Sequence, residues 1–101
     1  MSTNTLVANE LIVRLSGEID LSRVPNLVRL EKQLSKEDSV VIDLSDVTYF
    51  DTTFLRFLRN LRKQPNKGDR SSIKIVGFHN KFRRIFELTG FSKIFDVEWR
   101  T

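Results

Sequence analysis

Apolar residues along this chain switch between strand-like runs and helix-like spacing, and the switches predict the element order. Glu10 to Leu15 (E-L-I-V-R-L) is rich in β-branched and aliphatic residues and ends at Ser16-Gly17, which predicts a strand closed by a turn. A shorter strand is expected before it, around Leu6 to Ala8. From Leu21 onward Val24, Leu27, Val28, Leu30 and Leu34 recur at helical spacing, with Asp20 or Ser22 available as a cap and Pro25 tolerated in the first turn. Val40 to Leu44 (V-V-I-D-L) is a nearly unbroken apolar run, which predicts a central strand covered on both faces. A short acidic loop and then Asp51-Thr52-Thr53 open a second helix. Its stripe of Phe54, Phe57, Leu58 and Leu61, with Leu55 beside it, should face the core, while Arg56, Arg59, Asn60 and Lys63 face water.

Gln64 to Ser71 (Q-P-N-K-G-D-R-S) concentrates turn formers and charges and reads as the longest loop. Ser72 to Val76 alternates like a strand, and Asn80 is placed to cap a third helix carrying Phe82, Ile85, Phe86 and Thr89, ended by Gly90. Phe95 to Trp99 supplies a last short strand. The order β-β-α-β-α-β-α-β predicts an α/β fold: a mostly parallel mixed sheet of four to five strands with helices packed against it. A chain of 101 residues suits one core, so residues 1–101 are expected to form a single domain, with 1–5 flexible. Right-handed crossovers then bring the starts of the second and third helices to the carboxyl edge of the sheet, where open α/β folds bind ligands or partners. Thr52 falls on that edge.

Composition removes several function classes. The net charge of +4 comes from 17 basic and 13 acidic residues spread over several elements, which suits a solvated surface better than a nucleic-acid footprint, so no direct nucleic-acid partner is expected. No cysteine is present, the N-terminus lacks the pattern of a signal peptide, and no apolar run approaches a membrane span. The expected location is cytoplasmic, without membrane insertion. One histidine, His79, cannot assemble a metal site alone. Neither a G-x-S-x-G elbow nor a glycine-rich phosphate loop occurs, so neither an enzyme nor a cofactor of its own is expected. Any phosphoryl chemistry here needs another protein to bring the ATP.

The residue that stands out is Thr52. The opening amides of a helix lack intrahelical partners and its dipole favours negative charge, so a hydroxyl there can serve as a cap or carry a phosphate. Asp20 can likewise cap the helix that follows it, and Asp51 reads as a loop or cap carboxylate. Phe54, in the first turn, could enlarge a docking surface or obstruct a kinase.

Four segments in order carry a resemblance: V-R-L-S-G-E-I-D at 13 to 20, V-V-I-D-L-S-D-V-T-Y-F-D-T-T at 40 to 53, I-K-I-V-G at 73 to 77 and F-E-L-T-G-F at 86 to 91. Together they resemble the STAS domain, in the form of a stand-alone bacterial anti-sigma factor antagonist. The resemblance implies a regulatory binding module that works by partner switching. Unphosphorylated, such a protein binds a histidine-kinase-like anti-sigma factor, which brings ATP and magnesium; phosphorylation releases it, and a phosphatase reverses the block. The phosphorylated residue would be Thr52, which follows the Asp of the family's D-S-[ST]-G-L motif, with Thr53 as second choice. The partner surface would comprise Gly17, Glu18 and Asp20 from the family's G-E-[LI]-D turn, with Asp51, Thr52, Thr53 and Phe54. The chain departs from the motif in reading D-T-T-F-L, with Phe54 in place of a small residue. The family also includes a small subunit of a lipid-transport ABC ATPase, in which the equivalent threonine serves contact with the ATPase. That accessory role, or one in another signalling complex, is the alternative. The resemblance leaves the oligomeric state open.

Overall fold

The computed structural model describes residues 2–7, 10–34, 36–37, 39–62 and 72–100. Strands β1 (Ser2–Val7), β2 (Glu10–Ile19), β3 (Ser39–Phe50), β4 (Ser72–His79) and β5 (Asp96–Arg100) lie side by side in that order. β1 is antiparallel to β2, and the other neighbours are parallel. Helices α1 (Val24–Leu34), α2 (Thr52–Arg62), α3 (Arg83–Thr89) and the single turn α4 (Phe91–Ile94) form the crossovers. The fold is a single α/β layer pair with a mostly parallel mixed sheet.

In-register neighbours show where the core lies. Leu11 pairs with Val40, Val13 with Ile42, and Ile42 with Ile75, and all five are buried in one cluster with Leu27, Leu30 and Leu34 of α1, Phe57, Leu58 and Leu61 of α2, and Phe86 of α3. Strand order follows chain order, so right-handed crossovers put the described helices on the same side. This corrects the expectation that β3 is covered on both faces. Val41 and Asp43 alternate with the buried Val40, Ile42 and Leu44 and stay half-buried, flanked by the neighbouring strands β2 and β4. Ile12 and Lys74 sit beside Val41 in register, so its apolar side chain is screened laterally rather than from above.

Several boundaries also differ from the sequence reading. The first strand lies earlier than Leu6 to Ala8: Ser2–Val7 form β1, whose Asn4 amide donates to Gln33 Oε1 of α1 at 2.9 Å. Ser16-Gly17 does not end β2. Gly17 takes φ +76° within the strand, where a register shift lies between Gly17 and Glu18. The acidic stretch after Leu44 is not a loop either: β3 continues to Phe50, gaining one residue on β2 at each of two bulges. Pairing with residues 16–19 of β2 satisfies the backbone there, so polar side chains are tolerated in the strand. Asn80 is not a cap. His79 Nδ1 accepts the Lys81 N–H at 3.0 Å and caps a 3-10 turn, Asn80–Phe82, that leads into α3. Gly90 ends α3 as expected, with φ +81°. The loop read at residues 64–71 lies outside the described residues.

Candidate functional site

The carboxyl ends of β2 and β3 form the edge on which the candidate residues meet. The Asp51 N–H donates to the Ile19 carbonyl at 3.2 Å, tying the junction between β3 and α2 to the end of β2. Asp51 also caps α2, its Oδ1 accepting the Thr53 N–H at 2.8 Å, while the Phe54 N–H donates to the Asp51 carbonyl at 3.1 Å. A short acceptor at this position satisfies one of the orphan amides and complements the dipole. With Asp51 taking the cap, Thr52 is left as the first helical residue. It is exposed, whereas Asp51 and Thr53 are half-buried.

The second segment is built the same way. Asp20 Oδ1 accepts from the Ser22 hydroxyl at 2.6 Å and the Ser22 N–H at 3.0 Å, capping a 3-10 turn, Leu21–Arg23, that precedes α1. Those bonds, the hydroxyl first, together with the Arg23 charge, hold the Asp20 carboxyl below its ordinary value. Asp20 is therefore a cap, half-buried at the start of that turn. Glu18 pairs in register with Tyr49, and Ile19 with Phe50, which sets the G-E-I-D segment directly beside the approach to Thr52. Gly17, Glu18, Asp20, Asp51, Thr52 and Thr53 thus share one edge.

Phe54 does not join them. Its side chain is 0% exposed, with ring centroids of Phe50, Phe57 and Phe78 at 5.5, 6.2 and 6.5 Å. The reading of Phe54 as a docking or obstructing surface is corrected: the ring points into the core and fastens the first turn of α2 from beneath. Anchored this way, the turn holds Thr52 outward.

Two exposed apolar residues on this edge were not singled out from the sequence. Tyr49 is 51% exposed beside Glu18, and Leu21 is 74% exposed one residue beyond Asp20. The signal for Tyr49 was its neighbour: if Phe50 turns inward, the residue before it on a strand turns outward. Leu21 opens a groove of about 140 Å³ between α1 and α2, lined further by Val24, Val28, Thr53, Arg56 and Phe57. The edge thus offers the exposed Thr52 hydroxyl, flanking carboxylates and apolar surface.

The family model described as "Mlab, STAS domain" matches residues 3–96. The chain is 28% identical over 87 residues to the anti-sigma-B factor antagonist of Staphylococcus aureus (strain NCTC 8325 / PS 47), spanning 84% of this chain and 80% of that protein. A crystal structure of an anti-sigma factor antagonist from Mycobacterium paratuberculosis is similar at TM-score 0.85 and 25% identity, over 97% of this chain and 84% of that one. A putative anti-sigma factor antagonist from Thermotoga maritima shares the fold at TM-score 0.79 and 19% identity, over 99% and 86%.

Proposed function

The chain belongs to the STAS domain family, and we propose that it is an anti-sigma factor antagonist acting by partner switching at Thr52. Unphosphorylated, it docks this edge on a histidine-kinase-like anti-sigma factor and so frees a sigma factor. That partner, using its own ATP and magnesium, transfers a phosphoryl group to the Thr52 hydroxyl, and the complex separates. A phosphatase restores the free hydroxyl.

The observation that carries this reading is the exposure of Thr52 at the first position of α2, with the capping role taken by Asp51. A threonine whose hydroxyl is not needed to close the helix can be modified without unravelling it. Phosphate there adds about −1.5 to −2 charges and three acceptor oxygens. Against a partner face fitted to a neutral hydroxyl, with Asp51 already adjacent, the added dianion brings like charge into a desolvated contact, which costs several kcal/mol and suffices to separate a complex. Gly17, Glu18 and Asp20 supply the neighbouring part of the docking face.

Incubation with the cognate anti-sigma kinase, ATP and magnesium tests the assignment. Wild type and Thr53→Ala should be labelled and Thr52→Ala spared; equal labelling of Thr52→Ala removes Thr52 as the acceptor. A stable complex with an ABC ATPase and no labelling would assign the same edge to the alternative, an accessory subunit of a lipid-transport ATPase or other signalling complex.

A further inference from the structure

The two outer strands of the sheet are finished differently. β5 alternates charge with apolar residues, Asp96 and Glu98 standing on either side of Val97, and its pairing with β4 is interrupted by a register shift. Charged side chains and bulges are the usual means of keeping an edge strand from pairing with another chain. β1 has neither. Its sequence, S-T-N-T-L-V, holds no charge, proline or glycine, and it pairs with β2 without a register shift from Ser2 opposite Leu15 to Val7 opposite Glu10. Residues 3–7 are exposed throughout, Leu6 at 62% and Val7 at 51%.

We propose that β1 is a self-association edge that pairs antiparallel with β1 of a second copy, joining two sheets of five strands into one continuous sheet. The occupant follows from what the strand carries. A two-fold pairing sets each residue against a residue of the same strand, so any charge on β1 would meet a like charge on itself or close by, and β1 has none. With the helices of both copies on one side, residues of like facing must oppose each other, and the register that pairs all of the exposed residues 3–7 sets Thr5 against Thr5, Asn4 against Leu6 and Thr3 against Val7. Thr5 pairs in register with Ile12 and Asn4 with Val13, so the first and third of these contacts lie on the helix-free face and the second on the helix face, where Leu6 is otherwise left in water. Threonine opposite threonine is a favourable cross-strand pair. Because β3 of one copy then runs antiparallel to β3 of the other, the two Thr52 edges point to opposite ends of the dimer. Both remain open to a partner, so this association stands apart from the switch at Thr52.

Sedimentation equilibrium of the purified chain tests it. Wild type should reach twice the monomer mass of 11.8 kDa with rising concentration, Thr5→Lys should dimerise at least about tenfold more weakly, and Asp96→Lys on the opposite edge should behave as wild type. A wild type that stays monomeric up to about 1 mM overturns the proposal, as does a natively folded Thr5→Lys that dimerises like wild type. If Thr5→Lys loses its native circular dichroism, the covalent arm decides. The chain has no cysteine, so Thr5→Cys carries a single thiol, and mild oxidation should link it into a dimer far faster than Lys93→Cys. Linkage no faster than in that control overturns the self-pairing at Thr5.

Discussion

Replacing Phe54 by alanine separates the two roles that its position allowed. If the ring were a docking surface, Phe54→Ala would leave folding untouched; the structure places it at 0% exposure instead. A phenylalanine buries about 200 Å². At about 25 cal/mol per Å² that is about 5 kcal/mol, an upper figure because the unfolded chain already hides some of this area. Alanine keeps the Cβ, but the cavity forfeits contacts with Phe50 and Phe78 from neighbouring strands and Phe57 from the same helix. The net loss should be about 4 kcal/mol, within the usual range for a buried Phe→Ala change. For a domain of this size, stabilised by about 5–15 kcal/mol in all, that corresponds to a fall in Tm of roughly 15–30 °C. Phe54→Leu should cost only about 1 kcal/mol, since most of the volume is retained. Urea unfolding followed by the fluorescence of Trp99, the only tryptophan, is the natural assay, because its ring stacks on Phe78 at 5.6 Å within the same aromatic cluster. A loss below about 1 kcal/mol for Phe54→Ala, with an unchanged denaturant slope, would mean that the ring does not occupy the core and would return it to the surface.

Other substitutions probe the features that shape the edge and the helix-free face. Gly77 has φ +72°, and a Cβ there would collide with Ser45 Oγ and lie 3.0 Å from Asp43 Oδ1, whereas Gly90, at φ +81°, has open space around it. Gly77→Ala should therefore cost about 2–3 kcal/mol and Gly90→Ala about 1 kcal/mol in chemical denaturation; equal losses would contradict the close packing at Gly77. Asp51→Ala should cost about 1 kcal/mol through loss of the cap and Thr52→Ala less than about 0.5 kcal/mol, and the reverse order would place the cap on Thr52. Desolvation pulls the Asp43 pKa upward, but the Ser45 hydroxyl and N–H and the Arg14 guanidinium outweigh it and hold the carboxyl below 3.8. A depressed folded pKa gives stability that is present above the unfolded value and lost as pH falls through the folded one. The stability gap between wild type and Asp43→Asn should thus narrow as pH drops from about 5 to about 3, and a constant gap would show that the carboxylate is not selectively stabilised in the folded state.

The order of elements was legible because each strand and helix carries its own apolar period, and β3 and α2 carry the clearest. Their ends were harder to read. Asp46 looks like loop material next to Leu44, yet it pairs with Ser16 across the first bulge, and only the neighbouring strand supplies that backbone partner. The bulges also shift the alternation, so that Val40, Ile42 and Leu44 are buried and then Val47 rather than Asp46. Counting along the sequence therefore loses track of which face Tyr49 occupies. The candidate site was largely visible as the G-E-I-D and D-T-T segments, but their adjacency depends on the parallel pairing of β2 with β3. Phe54 was misread because the residues that enclose it, Phe50 and Phe78, come from two different strands.

Phe54 also bears on how a phosphate at Thr52 would be read. The departure from a small residue at this position changes the inside of the first turn, not the exposed edge, so the outward face still consists of the Thr52 hydroxyl with Asp51, Tyr49 and Leu21 nearby. On the proposed reading, two local effects of phosphorylation oppose each other. The helix start favours the added negative charge by about 0.3–1 kcal/mol, while the Asp51 carboxylate, fixed as a cap by the Thr53 N–H, repels it. With the first turn anchored by a buried ring, neither effect has a soft element to displace. The domain would therefore keep its conformation and its stability within about 1 kcal/mol on phosphorylation, and the signal would lie in the charge met by the partner rather than in refolding.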